Sequence, residues 1–431
     1  MTRIAPIALL SAALLSLTTL APSQRGAGYG PFSRYPFDQW AAENQKPQIR
    51  WYIRVDPARL SPHQRIVTQL HATVDAAELR KHQGNGQILM LARIEDAAGH
   101  RYQTWNQTAI AQLHQGDTVR QLDWNISAFI LPGDYVLLLA VCDTRTLEHS
   151  FVRRRLHIDA INSEPLPNMW KGLLPVEFLP VSGNPEAWYL PQMHSRIVLP
   201  VETQRPVRVE LLVNTTPAAP GSLNTFRQNM ELVVPSMKVL MGIDPVGGGI
   251  GLSVVDLNRR ALSFQQPDLR VMNGTWGDWL KLRPALAEAR NATVDLNTLA
   301  GQHQMMDYLA AEAARRLAPA NPSDAAAHVL IVLSAPLSFT EQDKPPAPDV
   351  PPDPARRIFY IRYSPLAILR PVPGSEVDYS NLRVPLYPFT DDIERALKPM
   401  GARVFRVSKP EEFRKALAAI LDEIGKMQVS R

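Results

Sequence analysis

The sequence predicts an all-β sandwich followed by an α/β domain that is built on a doubly wound, mostly parallel sheet. Three observations lead to this fold class. Short strand patterns separated by turn residues fill residues 47–158. Strand and helix patterns alternate over residues 205–431, which is typical of parallel βαβ units. The segment Val207–Gly221 joins a buried strand to a polar turn, and we expect the second domain to be organised around it.

Residues 1–21 have the three parts of a secretory signal peptide. Arg3 supplies a positive charge, Ile4–Leu20 is apolar, and Thr19 and Ala21 are small residues placed for cleavage after Ala21. The alternative is an uncleaved membrane anchor, because the apolar run is near the shortest length that spans a bilayer. We expect an exported protein, periplasmic or extracellular, with no stable membrane span after cleavage. Residues 22–46 are rich in Gly and Pro and are predicted to be a flexible leader.

The composition limits the class of protein. The 431 residues include 46 Lys and Arg against 41 Asp and Glu, a net charge of +5. The positive charges are spread along the chain, so we do not expect nucleic acid as a partner. Cys142 is the only cysteine, which rules out an intrachain disulfide. It lies in the apolar strand pattern YVLLLAVCD, which indicates a buried structural thiol.

Residues 47–158 contain six strand candidates separated by turns rich in Gly, Pro, Asn and Asp. The candidates are Ile49–Val55, Arg65–Val74, Gln87–Glu95, Val119–Ser127, Tyr135–Asp143 and Phe151–Ile158. Strands at this spacing favour a sandwich of immunoglobulin-like type, without the cysteine pair of antibody domains. The turn Leu131–Tyr135 leads into the most apolar strand, and we expect it to enter the core. The Pro-rich residues 159–204 are predicted to be a connector that adds one or two strands, such as Arg196–Val201.

Residues 205–431 supply the elements of the predicted doubly wound domain. The strand patterns are Val207–Val213, Gly251–Leu257, Ala261–Phe264, His328–Leu333, Arg357–Tyr363 and Arg403–Val407. The helix patterns are Leu223–Leu240, Trp279–Ala289, Gln304–Leu317, Asp391–Leu397 and a final helix after Ser408. Pro235 should kink or split the first of these helices. The acidic residues that follow Thr390 are interpreted as favourable to a helix dipole rather than as catalytic.

The final helix is the element that the sequence specifies best. Ser408 and Glu411 predict a capping box, and Pro410 suits the first turn because no N–H is needed there. The pattern of Phe413, Leu417, Ile420, Leu421 and Ile424 gives one apolar face. Gly425 is the expected end of the helix.

Three segments of the second half carry a resemblance to a known family. They are VRVELLVNTTPA from Val207, HVLIVLSAPLSF from His328 and GARVFRVSKPEEFRKALAAILDEI from Gly401. Residues 205–431 resemble a von Willebrand factor type A domain, and the whole chain looks like the secreted type A-related proteins of acidobacteria. The resemblance implies a divalent cation at the top of the sheet, held by an Asp-x-Ser-x-Ser loop, a Thr and a second Asp. Such hard oxygen ligands suit Mg²⁺.

Both carboxylates of that pattern are missing here. The loop positions hold Asn214, Thr216 and Ala218, and Ser334-Ala335-Pro336 stands where Thr-Asp-Gly is expected. Neutral oxygens bring no charge to offset the dehydration of Mg²⁺. We therefore predict a degenerate adhesion site that holds no metal and no other cofactor.

The functional prediction is a non-enzymatic, exported adhesion or scaffold protein with an unknown protein partner. The candidate partner-binding residues are Asn214, Thr215, Thr216 and Ser334. No catalytic residue is predicted, because neither HExxH nor GxSxG occurs in the sequence. One alternative is a Mg²⁺-dependent adhesin in which Asp244 or Asp256 assists Asn214 and Thr216. Another is a hydrolase of unrecognised type.

Overall fold

The structure is a computed structural model that describes most of the chain after residue 29. The described residues are 30–43, 46–115, 118–119, 121–179, 195–216, 223–271, 280–286, 304–319, 326–337, 353–364, 366–368, 383–385 and 391–427. The predicted signal peptide lies outside them. None of the helices in these ranges is long and apolar enough to cross a membrane. The chain separates into two compact units, residues 1–45 and 46–431.

Residues 30–43, the described part of the first unit, contain two short helices. They are α1, Pro31–Arg34, and α2, Phe37–Ala42. Pro31 occupies the first turn of α1, where its missing N–H costs nothing. The rings of Phe32 and Phe37 meet edge to face with centroids 4.9 Å apart. The prediction of a flexible leader, made from Gly and Pro content, did not anticipate these helices.

In the second unit, the described residues of 46–179 form two antiparallel sheets that face one apolar core, together with a separate sheet of two short strands. The strands are β1 Tyr52–Val55, β2 Arg59–Leu60, β3 Ile66–Val74, β4 Gln87–Asp96, β5 Arg101–Ala109, β6 His114–Gln115, β7 Thr118–Val119, β8 Leu122–Ile130, β9 Gly133–Asp143, β10 His149–Ile158 and β11 Val176–Phe178. Two short helices, α3 Ala76–Leu79 and α4 Ile110–Leu113, lie between strands. One sheet has the order β1-β3-β8-β11, with β2 paired to β3, and the other has the order β10-β9-β4-β5. Alternate residues point inward, as the period of a strand requires.

Of the two sequence features singled out in this half, Cys142 is buried, and the turn Leu131–Tyr135 enters the core through Tyr135. Tyr135 lies in the core, and its hydroxyl donates a hydrogen bond to the Leu131 carbonyl oxygen at 2.9 Å. Cys142 has no exposed surface, and burial raises the pKa of its thiol to about 12. The prediction of a buried structural thiol is therefore confirmed.

The described part of the rest of the second unit contains a six-stranded sheet with helices on both faces and two separate two-stranded sheets. The strands are β12 Leu199–Val201, β13 Val207–Asn214, β14 Ile243–Pro245, β15 Gly249–Asp256, β16 Ala261–Gln266, β17 Ala327–Ser334, β18 Arg356–Tyr363, β19 Leu366–Ile368, β20 Arg383–Pro385 and β21 Arg403–Val407. The two separate sheets are formed by β12 with β14 and by β19 with β20. The helices are α5 Leu223–Leu240, α6 Gln304–Leu317, α7 Asp392–Leu397 and α8 Pro410–Gly425, with 3₁₀ turns at Leu269–Val271 and Lys398–Met400. Residues 280–286 are also helical.

The large sheet has the order β16-β15-β13-β17-β18-β21. All neighbouring pairs are parallel except β15 with β16, which pair antiparallel at one edge. The next strands after β13 in the chain, β15 and β16, therefore lie on one side of it. The later strands β17, β18 and β21 lie on the other side. Side chains at the carboxyl ends of β13 and β17 meet where the strand order reverses.

The large sheet separates two apolar cores. Val209, Leu211 and Val213 of β13 pack into the core that includes α5 and α8. Leu212, on the opposite face, packs into the core that includes α6 and α7. Successive side chains of a strand point to opposite faces, and the run is apolar because both faces are covered.

Two helices bear on details of the sequence predictions. Helix α5 continues through Pro235, so of the two predicted effects, a kink or a split, the split does not occur. Helix α8 starts at Pro410 with Lys409 as its N-cap residue, and no side chain makes a capping hydrogen bond. The backbone N–H of Ser408 donates instead to the Glu412 carboxylate at 2.7 Å. The predicted pair of Ser408 and Glu411 is therefore wrong by one residue, because Pro410 sets the first turn one position later.

The connector joins the two halves of the second unit into one body. Trp170 packs against both cores, and its indole N–H donates to the Gln64 carbonyl oxygen at 2.7 Å. The guanidinium of Arg414, on α8, lies 4.5 Å from the Trp170 ring centroid. Arg414 also donates to the Glu164 carboxylate at 2.8 Å. We call these four residues the joint.

Candidate functional site

The predicted site residues come together at the carboxyl end of the large sheet. Asn214 is the last residue of β13, and Ser334 is the last residue of the adjacent parallel strand β17. The side-chain amide of Asn214 donates a hydrogen bond to the Ser334 hydroxyl at 2.9 Å. The Ser334 hydroxyl donates in turn to the Ala335 carbonyl oxygen at 2.5 Å. Two neutral side chains thus satisfy each other across neighbouring strands.

The two threonines tie this loop to the next strand. The Thr216 backbone N–H donates to the Asn214 side-chain oxygen at 3.1 Å, and the Thr216 hydroxyl accepts from the Leu257 backbone N–H at 2.7 Å. The Thr215 backbone N–H donates to the Val255 carbonyl oxygen at 3.2 Å. The Thr215 hydroxyl has no hydrogen-bond partner among the described residues. Apart from the Thr215 hydroxyl, the side-chain polar groups of these four residues are therefore hydrogen-bonded to nearby residues of the chain.

Burial changes how the four residues can act. Asn214, Thr215, Thr216 and Ser334 are 4%, 7%, 4% and 0% exposed. They bring the strand ends together, as predicted, but their side chains are not an open contact surface. The turn between β15 and β16, which follows the Leu257 that bonds to Thr216, carries the exposed side chains of Arg259 and Arg260. Ala218, which was also compared with the family pattern, lies outside the described residues.

The two carboxylates considered as additional ligands for Mg²⁺ lie at different ends of the sheet. Asp256 ends β15 beside Val255, which pairs with Asn214. Its Oδ1 accepts from the Asn258 backbone N–H at 3.0 Å, so this carboxylate already stabilises the turn that follows β15. Asp244 lies in β14, before β15 begins, and its charge acts on Arg270 at the amino end. Within the described residues, no group of three or more His, Cys, Asp or Glu side chains is placed to hold a metal ion.

A buried carboxylate at the same end of the sheet was not predicted as part of the site. Asp391 is the N-cap of α7, and its Oδ1 accepts from the backbone N–H groups of Ile393 at 3.2 Å and Leu337 at 3.3 Å. Its Oδ2 accepts from the Tyr360 hydroxyl at 2.9 Å and lies 3.3 Å from the Arg362 Nε. The cap agrees with the structural interpretation of this acidic run. The available signal was Tyr360 itself, since a tyrosine in a buried strand needs a polar partner.

Burial raises the pKa of Asp391 from 3.8 to about 6, although its hydrogen bonds and Arg362 act in the opposite direction. The folded chain therefore holds this proton more tightly than the unfolded chain does. The stability that Asp391 contributes is fully present below pH 4 and is lost as the pH rises through about 6.

We expect the free energy of unfolding of the wild type, relative to Asp391→Asn, to fall by about 2 kcal/mol between pH 4 and pH 7. Urea unfolding at the two pH values measures this difference. Asp422→Asn is the matched control, because Asp422 is 59% exposed on α8. Its effect should change by less than about 0.5 kcal/mol. A difference between the wild type and Asp391→Asn that does not vary with pH would contradict the expectation.

Comparisons with known proteins assign no family. No protein family and no curated protein matches the sequence. A solved structure of a Bordetella pertussis protein assigned as ApaA aligns over 27% of this chain and 100% of its own, with 7% identity and a TM-score of 0.18. The structural-genomics target SoR45 aligns over 27% of this chain and 97% of its own, with 12% identity and a TM-score of 0.17. Similarity this low carries no argument about fold or function.

Proposed function

We propose that this chain is an exported, non-enzymatic protein that binds a protein partner through a degenerate type A domain without a metal ion. Residues 205–431 would be that domain, of the doubly wound class, and residues 47–158 an immunoglobulin-like sandwich that presents it. Support for the first class comes from β13 at the centre of a parallel sheet with an antiparallel edge. Support for the second comes from two antiparallel sheets that enclose one core.

The observation that carries the proposal is the hydrogen bond between Asn214 and Ser334. These residues stand at the strand ends where the family resemblance implies metal ligands. Their polar atoms are buried and bonded to each other, to Thr216 and to Ala335. A divalent cation would have to break this network and would gain only neutral oxygen ligands. These ligands do not offset the free-energy cost of removing its water molecules.

The alternatives receive less support from the same residues. A Mg²⁺-dependent adhesin needs a carboxylate beside Asn214, but Asp256 holds its own turn and Asp244 lies at the amino end. A hydrolase that uses Ser334 needs an accessible hydroxyl paired with a base. Ser334 has no exposed surface and donates its proton to the Ala335 carbonyl oxygen. Export rests on the sequence of residues 1–21 alone.

Capture from envelope extracts of the native cells tests the proposal. The exported chain should retain the same partner in EDTA and in Mg²⁺. Arg259→Glu with Arg260→Glu, in the exposed turn beside the buried network, should reduce the captured amount at least tenfold. Arg153→Glu with Arg155→Glu is the matched control on the exposed part of β10 and should change it little. A partner that is retained only in Mg²⁺, or is lost equally in both variants, would contradict the proposal.

A further inference from the structure

A second polar site lies at the amino end of the large sheet, opposite the strand ends that hold Asn214. It is an open cleft of about 300 Å³ between the start of β13, the start of β15 and the segment after β16. Its lining includes Arg208, Glu210, Gly249, Gly251, Asp268 and Arg270. This volume is at the lower end of the range for ligand pockets, so a small molecule would fill it.

Glycines form the floor of the cleft. In the parallel pair of β13 and β15, Arg208 lies opposite Gly249 and Glu210 lies opposite Gly251. A Cβ atom on Gly251 would lie 2.7 Å from both Glu210 carboxylate oxygens, and one on Gly249 would lie 3.4 Å from Arg270 Nη2. The carboxylate and the guanidinium therefore occupy the space that side chains at these two positions would take.

The turn before β15 also requires glycine. A Cβ atom on Gly248 would lie 2.0 Å from the Val207 carbonyl oxygen, and Gly247 has a φ of +70°. A larger residue at position 248 would collide with the backbone, not with a side chain that could move. The approach of this turn to β13 fixes one wall of the cleft.

Two opposite charges thus lie over one face of β15, the Glu210 carboxylate over Gly251 and the Arg270 guanidinium over Gly249. Residues two apart on a strand are separated by about 7 Å. Arg270 is held by Asp268 through two hydrogen bonds of 3.1 Å, and its side chain is 64% exposed. Glu210 accepts a hydrogen bond from Arg316 at 3.0 Å, yet burial still raises the pKa of its carboxyl group. Arg316, Arg315 and Arg208 act in the opposite direction, and a ligand cation beside Glu210 would add to their charge.

We infer that this cleft binds a small zwitterion, a free α-amino acid, with its ammonium group on Glu210 and its carboxylate on Arg270. Glu210 and Arg270 lie over strand positions that are about 7 Å apart, which admits a ligand that carries both signs a few ångströms apart. Each group already has one ion-pair partner, Arg316 for Glu210 and Asp268 for Arg270. A ligand that carries both charges gains an ionic contact at each end, whereas a ligand with one charge gains only one. This inference goes beyond the proposed function and does not depend on it, because the cleft lies at the other end of the sheet.

Isothermal titration of the purified exported chain with glycine, L-alanine, L-lysine and L-glutamate tests the inference. At least one of these zwitterions should bind, and glycinamide and acetate, which each lack one charge, should bind at least tenfold more weakly. Glu210→Gln and Arg270→Gln should each weaken the binding of the amino acid at least tenfold. Arg153→Gln, on the exposed part of β10, should leave it unchanged.

Two sets of results would overturn the inference. One is the failure of all four amino acids to bind the wild type. The other is equal binding of acetate and glycine, or unchanged binding in Arg270→Gln. The exposed position of Arg270 keeps this variant informative even if Glu210→Gln does not fold, because loss of an exposed charge rarely unfolds a protein.

Discussion

Replacing Glu177 with Gln is expected to lower the free energy of unfolding by about 3 to 5 kcal/mol. Glu177, on β11, accepts a hydrogen bond from Arg65 at 2.5 Å, and both side chains are only 1% exposed. The Arg65 guanidinium also lies 4.6 Å from the Phe129 ring centroid. Burial lowers the pKa of Arg65, and the Glu177 charge opposes this effect. Without that charge, a buried guanidinium loses its counter-ion.

The charge of the same carboxylate also acts on Lys238, a half-buried cation. Burial lowers the pKa of Lys238, on α5, to about 8, and the charge of Glu177 acts against this shift. The substitution therefore removes a negative charge that acts on two cations at once. Urea unfolding followed by circular dichroism measures the loss. Glu423→Gln is the matched control, because its partner Arg403 is 54% exposed, and it should cost less than about 1 kcal/mol. Equal losses in the two variants would contradict this explanation.

Replacing Arg414 with Ala is expected to cost about 3 kcal/mol and to uncouple the two halves of the second unit. The side chain of Arg414 is 2% exposed and holds Glu164 at 2.8 Å. Its contact with Trp170 contributes about 1 kcal/mol more. Because Glu164 and Trp170 belong to the connector and Arg414 to α8, the substitution removes contacts that join the two cores.

Unfolding followed by tryptophan fluorescence and by circular dichroism tests the role of the joint. The two probes should give one transition in the wild type and separate transitions in Arg414→Ala. Lys426→Ala is the control on the same helix, since its ion pair with Asp422 is exposed; it should cost less than about 0.5 kcal/mol. Coincident transitions in Arg414→Ala would show that the joint does not couple the cores.

The elements that the sequence predicted well are those with a strong local pattern. The apolar runs of β13 and β17 and the amphipathic face of α8 lie where their patterns placed them. The strand β5, RYQTWNQTA, was missed because it is polar and its exposed positions leave only a weak apolar alternation. The partner of Ser408 was predicted wrongly because the helix begins one residue later than the predicted cap requires. The Glu412 carboxylate, not that of Glu411, therefore accepts from the Ser408 N–H.

The candidate site was predictable in its position but not in its burial. Parallel strands bring Asn214 and Ser334 to one edge whatever covers them, so their proximity follows from the strand patterns. Whether they face solvent depends on segments distant in sequence. The same limit applies to Asp391, whose contacts with Tyr360 and Leu337 join parts of the chain 31 and 54 residues away.

We propose that the carboxyl end of the large sheet works without a metal ion. Thermal unfolding of residues 22–431 with and without millimolar Mg²⁺, Mn²⁺ or Ca²⁺ tests this proposal most directly. An ion that binds only the folded chain, at a hundredfold excess over its Kd, would add about 2.7 kcal/mol of stability. We predict no shift of the midpoint with any of the three ions. A stabilising shift that Asn214→Ala abolishes would contradict the claim and would favour the metal-dependent adhesin.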